Sequence, residues 1–165
     1  MKRLYIDLDI CNKCESCKAA CDYFYHPQNN GVTSLREYAT FVTICRHCED
    51  APCVNSCYHN ALERGEDGHI KRYKMRCTSC KTCTIACPFG VIFQDFIPYL
   101  DSKCDFCLGL ADKKPSCILA CPHQAIEAKE VEESIENNIY FVGDRLAVHS
   151  LKWSREDVQP PRKKK

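Results

Sequence analysis

Apolar positions along the chain come in short bursts rather than in one sustained period. "NSCYHNALER" places Ala61 and Leu62 after Cys57, and "LACPHQAIEA" places Ala125 and Ile126 after Cys121. Each stretch predicts a short helix opened by a C-x3-C step, with Ala and Leu or Ile packing inward. "GEDGHIKRY" predicts a β-hairpin, because Asp67-Gly68 is a strong two-residue turn signal. "NIYFVGDRLAV" has strand character. The longest apolar patch, "VIFQDFIPYL", is interrupted by Gln94, Asp95 and Pro98. No apolar run approaches the roughly 18 residues a membrane span needs. So little aliphatic sequence surrounds these bursts that a conventional core is not expected. The pattern predicts an α+β, loop-rich fold.

Length and charge add little. A chain of 165 residues fits one compact domain or two small lobes. With 23 Lys+Arg against 22 Asp+Glu, nothing points to nucleic acid or an acidic substrate. Cysteine does change the picture: there are 16. Such density in a short secreted chain signals a disulfide scaffold. The start, "MKRLYIDLDICNKC", argues otherwise, because Asp7 and Asp9 interrupt its apolar stretch and no cleavage site or twin-arginine pair follows. The expected compartment is the cytoplasm, where thiols stay reduced.

By spacing, the cysteines form four groups of four with none spare. Group I is Cys11, Cys14, Cys17 and Cys21. Group II is Cys45, Cys48, Cys53 and Cys57. Group III is Cys77, Cys80, Cys83 and Cys87, and group IV is Cys104, Cys107, Cys117 and Cys121. Groups I and III read C-x2-C-x2-C-x3-C. Groups II and IV open with C-x2-C, insert a longer loop and close with C-x3-C. The order is A-B-A-B, an internal duplication; "CYHNALE" after group II matches "CPHQAIE" after group IV. Groups II and IV alone resemble zinc knuckles. Three thiols at x2-x2 spacing instead surround an object wider than one ion. The run C-x2-C-x2-C-x3-C-P is the bacterial ferredoxin signature, whose fourth cysteine ligates the other cluster.

With these motifs the sequence resembles the 16-cysteine, four-cluster ferredoxin-like electron-transfer subunits of anaerobic oxidoreductase complexes. Such subunits serve molybdenum and tungsten enzymes, hydrogenases, formate-processing complexes and carbon monoxide dehydrogenase. The resemblance runs from Leu4 to about Ala128. It is strongest in "CRHCEDAPCVNSC", with His47 and Pro52 at family positions, and in the Asp-Gly hairpin of "EDGHI". It implies two ferredoxin-like lobes carrying four [4Fe–4S] clusters. The inner lobe, about 40–95, would use Cys45, Cys48, Cys53 with Cys87, and Cys77, Cys80, Cys83 with Cys57. The outer lobe, 1–30 with 100–128, would use Cys11, Cys14, Cys17 with Cys121, and Cys104, Cys107, Cys117 with Cys21. Pro88 and Pro122 follow their cysteines as the family has it. Asp22 and Tyr58 stand where a proline is expected, which leaves the local turn open.

Loaded with four clusters, the protein carries roughly −7, taking each core as about +2. Lys13, Lys18, Arg46, Arg76, Lys81 and Lys103 sit next to ligands in sequence and are candidates to offset that charge. Tyr23, Phe24 and Tyr25 beside Cys21 either pack on a cluster or form a docking surface. His47 is expected to orient its loop. Residues 129–165 lie beyond the repeat. They read as a C-terminal extension, either a partner-binding strap or a local cap, ending in a disordered "QPPRKKK".

No nucleophile–base pair, phosphate loop or substrate-pocket motif is present. The expected function is therefore a non-catalytic subunit relaying single electrons between a soluble ferredoxin or other redox donor or acceptor and a large catalytic subunit. By resemblance that partner is a tungsten or molybdenum enzyme, such as an aldehyde oxidoreductase or aryl-CoA reductase. The alternatives are a free-standing polyferredoxin carrier, a hydrogenase or carbon monoxide dehydrogenase subunit, and a zinc-stabilised interaction module.

Overall fold

Strict alternation in "RLYID" makes a strand. The computed structural model describes residues 2–15, 17, 19, 21, 31–97, 104, 106, 107 and 114–151. In it β1 spans Arg3–Asp7, with Leu4 and Ile6 buried and Arg3, Tyr5 and Asp7 on the wetter face. The polar face is covered by cations over rings: the Arg3 guanidinium lies 4.0 Å from the Phe141 ring centre, and Lys129 Nζ 3.7 Å from that of Tyr5.

Three strands join β1. They are β4 (Ile126–Lys129), β5 (Ile139–Val142) and β6 (Leu146–His149), in the order β4-β1-β6-β5. β1 pairs antiparallel with β4 (Leu4 opposite Ala128) and parallel with β6 (Leu4 opposite Leu146). Leu4, Ile6, Ile126, Val142, Leu146 and Val148 form its buried face. A boundary at 128/129 therefore falls inside β4. The described part of the C-terminal extension supplies two of the sheet's four strands, β5 and β6. β5 and β6 join through a turn in which Gly143 adopts φ +62°.

The second sheet is a hairpin of β2 (Leu62–Arg64) and β3 (Ile70–Arg72), with Leu62 opposite Arg72. The hairpin is the expected one, but its turn is wider than two residues. Gly65 N–H donates to the His69 carbonyl (2.8 Å), Gly68 takes φ +79°, and Asp67 Oδ1 accepts from His69 N–H (3.0 Å).

The short helices also differ from expectation. α3 (Pro52–Asn55), α4 (Thr82–Ala86) and α5 (Ser116–Ala120) lie inside the C-x3-C steps, not after them. The residues that follow turn and enter β2 and β4. Ala61, Leu62, Ala125 and Ile126 are nevertheless buried, as expected. Two helices were not foreseen: α1 (Leu8–Cys11), capped by Asp7 Oδ1 accepting from Ile10 N–H, and the 13-residue α2 (Gly31–Thr43). α2 packs on β3 and on a 3-10 turn at Gln94–Phe96, and also touches β5. Tyr23, Phe24, Tyr25, Asp22, Lys18, Lys103 and the segment 152–165 lie outside the described residues.

Candidate iron–sulfur centres

Among the described residues, the loops of groups II, III and IV are shaped by residues in the left-handed region. In three C-x2-C turns the residue before the second cysteine has positive φ: His47 (48°), Ser79 (57°) and Phe106 (68°). Three residues past the last cysteine the same happens at Asn60 (48°), Gly90 (62°) and Gln124 (52°). At all three, that residue's N–H donates to the cysteine carbonyl, from Asn60 to Cys57, Gly90 to Cys87 and Gln124 to Cys121. The turn after Cys57 is therefore made without a proline, with the Tyr58 side chain out in solvent. Such conformations are uncommon for non-glycine residues. Their recurrence at equivalent positions carries the sequence duplication into the backbone.

These loops bring together thiols far apart in sequence. The charges acting on the Cys11 thiol include those of Cys14, Cys17 and Cys121. Cys45 and Cys53 lie within reach of Cys87, and Cys48 acts on Cys45. Cys83 faces Cys77, Cys80 and Cys57. Cys117 faces Cys104 and Cys21, and Cys107 belongs to the same loop as Cys104. Cys53 also acts on Cys83, so the two inner groups are neighbours.

The groups fit a cluster better than a single ion. Tetrahedral thiolates about 2.3 Å from zinc lie roughly 3.8 Å from one another. Among the described residues no three thiols fall within 4.8 Å of one another; only Asp7, Asp9 and His149 do. That acidic triad is accounted for by the fold. Asp7 caps α1, His149 Nδ1 lies 2.9 Å from Asp7, and Asp9 accepts from Leu151 N–H at 2.6 Å. All sixteen cysteines are free thiols. Around Cys57, Cys77, Cys80 and Cys83 a cavity opens, walled by Ala61, Leu62, Arg72 and Ile97.

Burial pushes the thiols of Cys11, Cys53, Cys83 and Cys117 up to about 11, with neighbouring thiols adding to the rise. Burial raises Cys45 as well. Exposed Cys80 goes the other way, lowered chiefly by the hydrogen bond that the Thr82 hydroxyl donates to its sulfur. Sulfurs also receive backbone donors, from Gly31 to Cys21 (2.9 Å), Ala61 to Cys57 (3.3 Å) and Phe106 to Cys104 (3.4 Å). N–H donors of this kind stabilise sulfur-borne negative charge. His47 donates from Nε2 to the Phe41 carbonyl (3.0 Å) and meets His69 edge to face, fixing the group II loop as expected.

The sixteen thiols and the [4Fe–4S] signature agree with a family model described as a 4Fe-4S dicluster domain, which matches residues 36–131. The chain belongs to that family. Among its curated relatives is a putative electron transport protein, YsaA, of Escherichia coli (strain K12). It is 34% identical over 148 residues, covering 81% of this chain and 93% of that one. The electron transport protein HydN of the same strain is 33% identical over 156 residues, 76% of this chain and 87% of HydN. The B component of that strain's anaerobic dimethyl sulfoxide reductase is 30% identical over 168 residues, 89% and 80% respectively. This dicluster-family chain is a ferredoxin-like iron–sulfur protein of electron transfer. It carries multiple [4Fe–4S] clusters and is not itself a catalytic subunit. No helix among the described residues is long and apolar enough to cross a membrane.

Sequence adjacency missed what α2 contributes. Buried Arg36 acts on Cys11, donates to Asp95 (2.8 Å) and to Asn12 (3.2 Å), and so joins the group I loop to the 3-10 turn that follows group III. Arg64 acts on Cys45. Neither cation adjoins a cysteine in sequence. Gly31 was equally silent: a Cβ there would lie 2.7 Å from Cys21 Sγ.

Proposed function

We propose that the chain holds four [4Fe–4S] clusters in two ferredoxin-like lobes and relays single electrons between a soluble carrier and a large catalytic oxidoreductase subunit. The ligand sets are Cys11, Cys14, Cys17, Cys121; Cys104, Cys107, Cys117, Cys21; Cys45, Cys48, Cys53, Cys87; and Cys77, Cys80, Cys83, Cys57. The carrying observation is the gathering of Cys121 with group I and of Cys57 with group III, which is the fourth-cysteine exchange of ferredoxins. Each cluster supplies a one-electron couple. The protein's own groups do the rest. Buried thiols give up protons to bind, backbone N–H groups and Arg36 offset the added charge, and α2 holds the lobes in register.

A catalytic partner is supported by the relative that is a component of an anaerobic dimethyl sulfoxide reductase. The choice of a tungsten or molybdenum enzyme, such as an aldehyde oxidoreductase or aryl-CoA reductase, rests on family resemblance. A cytoplasmic setting is supported by sixteen free thiols. Anaerobic affinity purification with metal analysis of what co-elutes tests this reading. A large subunit bearing tungsten or molybdenum is expected; a monomer eluting alone at full iron content contradicts the subunit role and favours a mobile carrier.

A further inference from the structure

Loaded with clusters the protein is acidic overall, yet two of its segments carry no acid. The segments 51–62 and 73–93 contain no Asp or Glu, and between them they supply Cys57, Cys77, Cys80 and Cys83. Cys80 is exposed, so this group comes to the surface. Three large apolar side chains stand out in these segments: Tyr58 is 91% exposed, Met75 88% and Ile85 84%. Scattered apolar residues need no explanation, but these three all fall in the two segments that supply Cys57, Cys77, Cys80 and Cys83. Tyr58 lies between Cys57 and His59, and Ile85 lies in α4, whose N-cap is Lys81; Cys57, His59, Cys80 and Lys81 wall one cavity. Arg76, next to Met75, donates to the Asn60 carbonyl (3.5 Å), which draws it onto the Tyr58 turn. Glu63, at the edge, is taken up by the Tyr73 hydroxyl.

We propose that Tyr58, Met75, Arg76, Lys81 and Ile85, around exposed Cys80, form a docking face for a small acidic redox protein. The proposal rests on the cluster reading above. Two cations on a surface of acid-free segments, with Glu63 at its edge held by Tyr73, select a partner whose docking edge is acidic; an acidic molecule with one such patch orients that partner before contact. A cluster held by Cys57, Cys77, Cys80 and Cys83 would supply at this face the one-electron couple that accepts the single electron given up by the carrier's own centre. Exposed apolar side chains then exclude water at the junction.

The test uses the full chain purified with its clusters and a small acidic two-cluster ferredoxin as the probe. Affinity is read by calorimetry from low to high salt, after iron has been assayed in every sample. Wild type is expected to bind, with affinity falling as salt rises. Arg76→Glu/Lys81→Glu should weaken binding by about tenfold or more, and Tyr58→Ser/Ile85→Ser several-fold, both at unchanged iron. Arg145→Glu, on the β5–β6 turn, should change it less than about twofold. The milder Arg76→Gln/Lys81→Gln replaces the reversal if that loses iron. Loaded wild type that does not bind, or binds equally in all variants and at all salt concentrations, overturns the docking face while leaving the cluster reading intact. Self-association through this face at low salt also overturns it. Wild type without iron overturns the cluster reading itself.

Discussion

Gly31 sits where a backbone amide must reach a cysteine sulfur, and its N–H lies 2.9 Å from Cys21 Sγ. A methyl group there would stand 2.7 Å from the same sulfur. Gly31→Ala is therefore expected to cost one outer cluster, with iron falling by about four atoms per chain, as colorimetric analysis would show. The pH dependence of assembly also belongs at this scale. Burial in the folded framework pushes the thiols of Cys11, Cys53, Cys83 and Cys117 up to about 11, and in an unfolded metal-free chain they sit at the ordinary value of about 8.5, so in either state they keep their protons at neutral pH. Because iron binds the thiolate, cluster binding must expel them. A raised pKa favours the protonated, metal-free form, so binding strengthens as pH rises from 7 toward 11. Reconstitution in weak buffer should release about one proton per buried thiol, and faster at pH 8.5 than at 6.5; pH-independent uptake without proton release contradicts this. The sixteen ligand candidates were legible because spacing alone groups them. Gly31 and Arg36 were not, since their meaning depends on a sulfur and a carboxylate brought near by folding.

Helix α2 was hidden for a reason visible in its own side chains. Ser34, Arg36, Glu37 and Thr40 are buried alongside Val32, Leu35, Ala39 and Phe41, so no clean polar face exists to reveal the helix. Its most consequential contact is a buried two-pronged pair. Arg72 on β3 donates from Nε and from one Nη to the two Glu37 oxygens, both at 2.7 Å. Removing one partner of a buried pair costs about 3–5 kcal/mol, whereas removing both costs far less. Glu37→Gln should thus shift denaturant-induced bleaching of the cluster absorbance to clearly lower concentration, and Glu37→Leu/Arg72→Met should recover most of the loss. Equal loss in both variants contradicts a role for the pair. The strands past the cysteine repeat make a second element-scale case. Their apolar character was readable, but their position between β1 and solvent was not, because a parallel β1–β6 pairing has no local signal. Deleting residues from Ile139 onward uncovers Leu4 and Ile6. About half the iron, that of the outer lobe, should be lost with it; full retention contradicts a structural role for these strands.

At the scale of the molecule, the described residues form two small sheets, one 13-residue helix and a few one-turn helices around the thiols. Their buried apolar cluster, with Leu4, Ile6, Leu35, Ile97, Ile126 and Val148, is a fuller core than the sequence suggested, but the tetrad loops are closed only by what their thiols bind, so metal binding is expected to supply folding free energy. Anaerobic chelation of iron should therefore collapse the far-ultraviolet circular dichroism together with the cluster absorbance; a metal-free chain retaining its native spectrum contradicts this. The A-B-A-B spacing was legible because four copies repeat one constraint, and the left-handed residues at His47, Ser79 and Phe106 show that constraint in the backbone. The links that α2 makes to Asn12, Arg72 and Asp95 were illegible, because its buried charges make them. The central claim is that every thiol serves a cubane cluster. Iron and acid-labile sulfide per chain, measured on anaerobically purified protein, test it most directly: about sixteen of each are predicted, and about four zinc ions with no sulfide, or only eight irons in a fully folded chain, would contradict it.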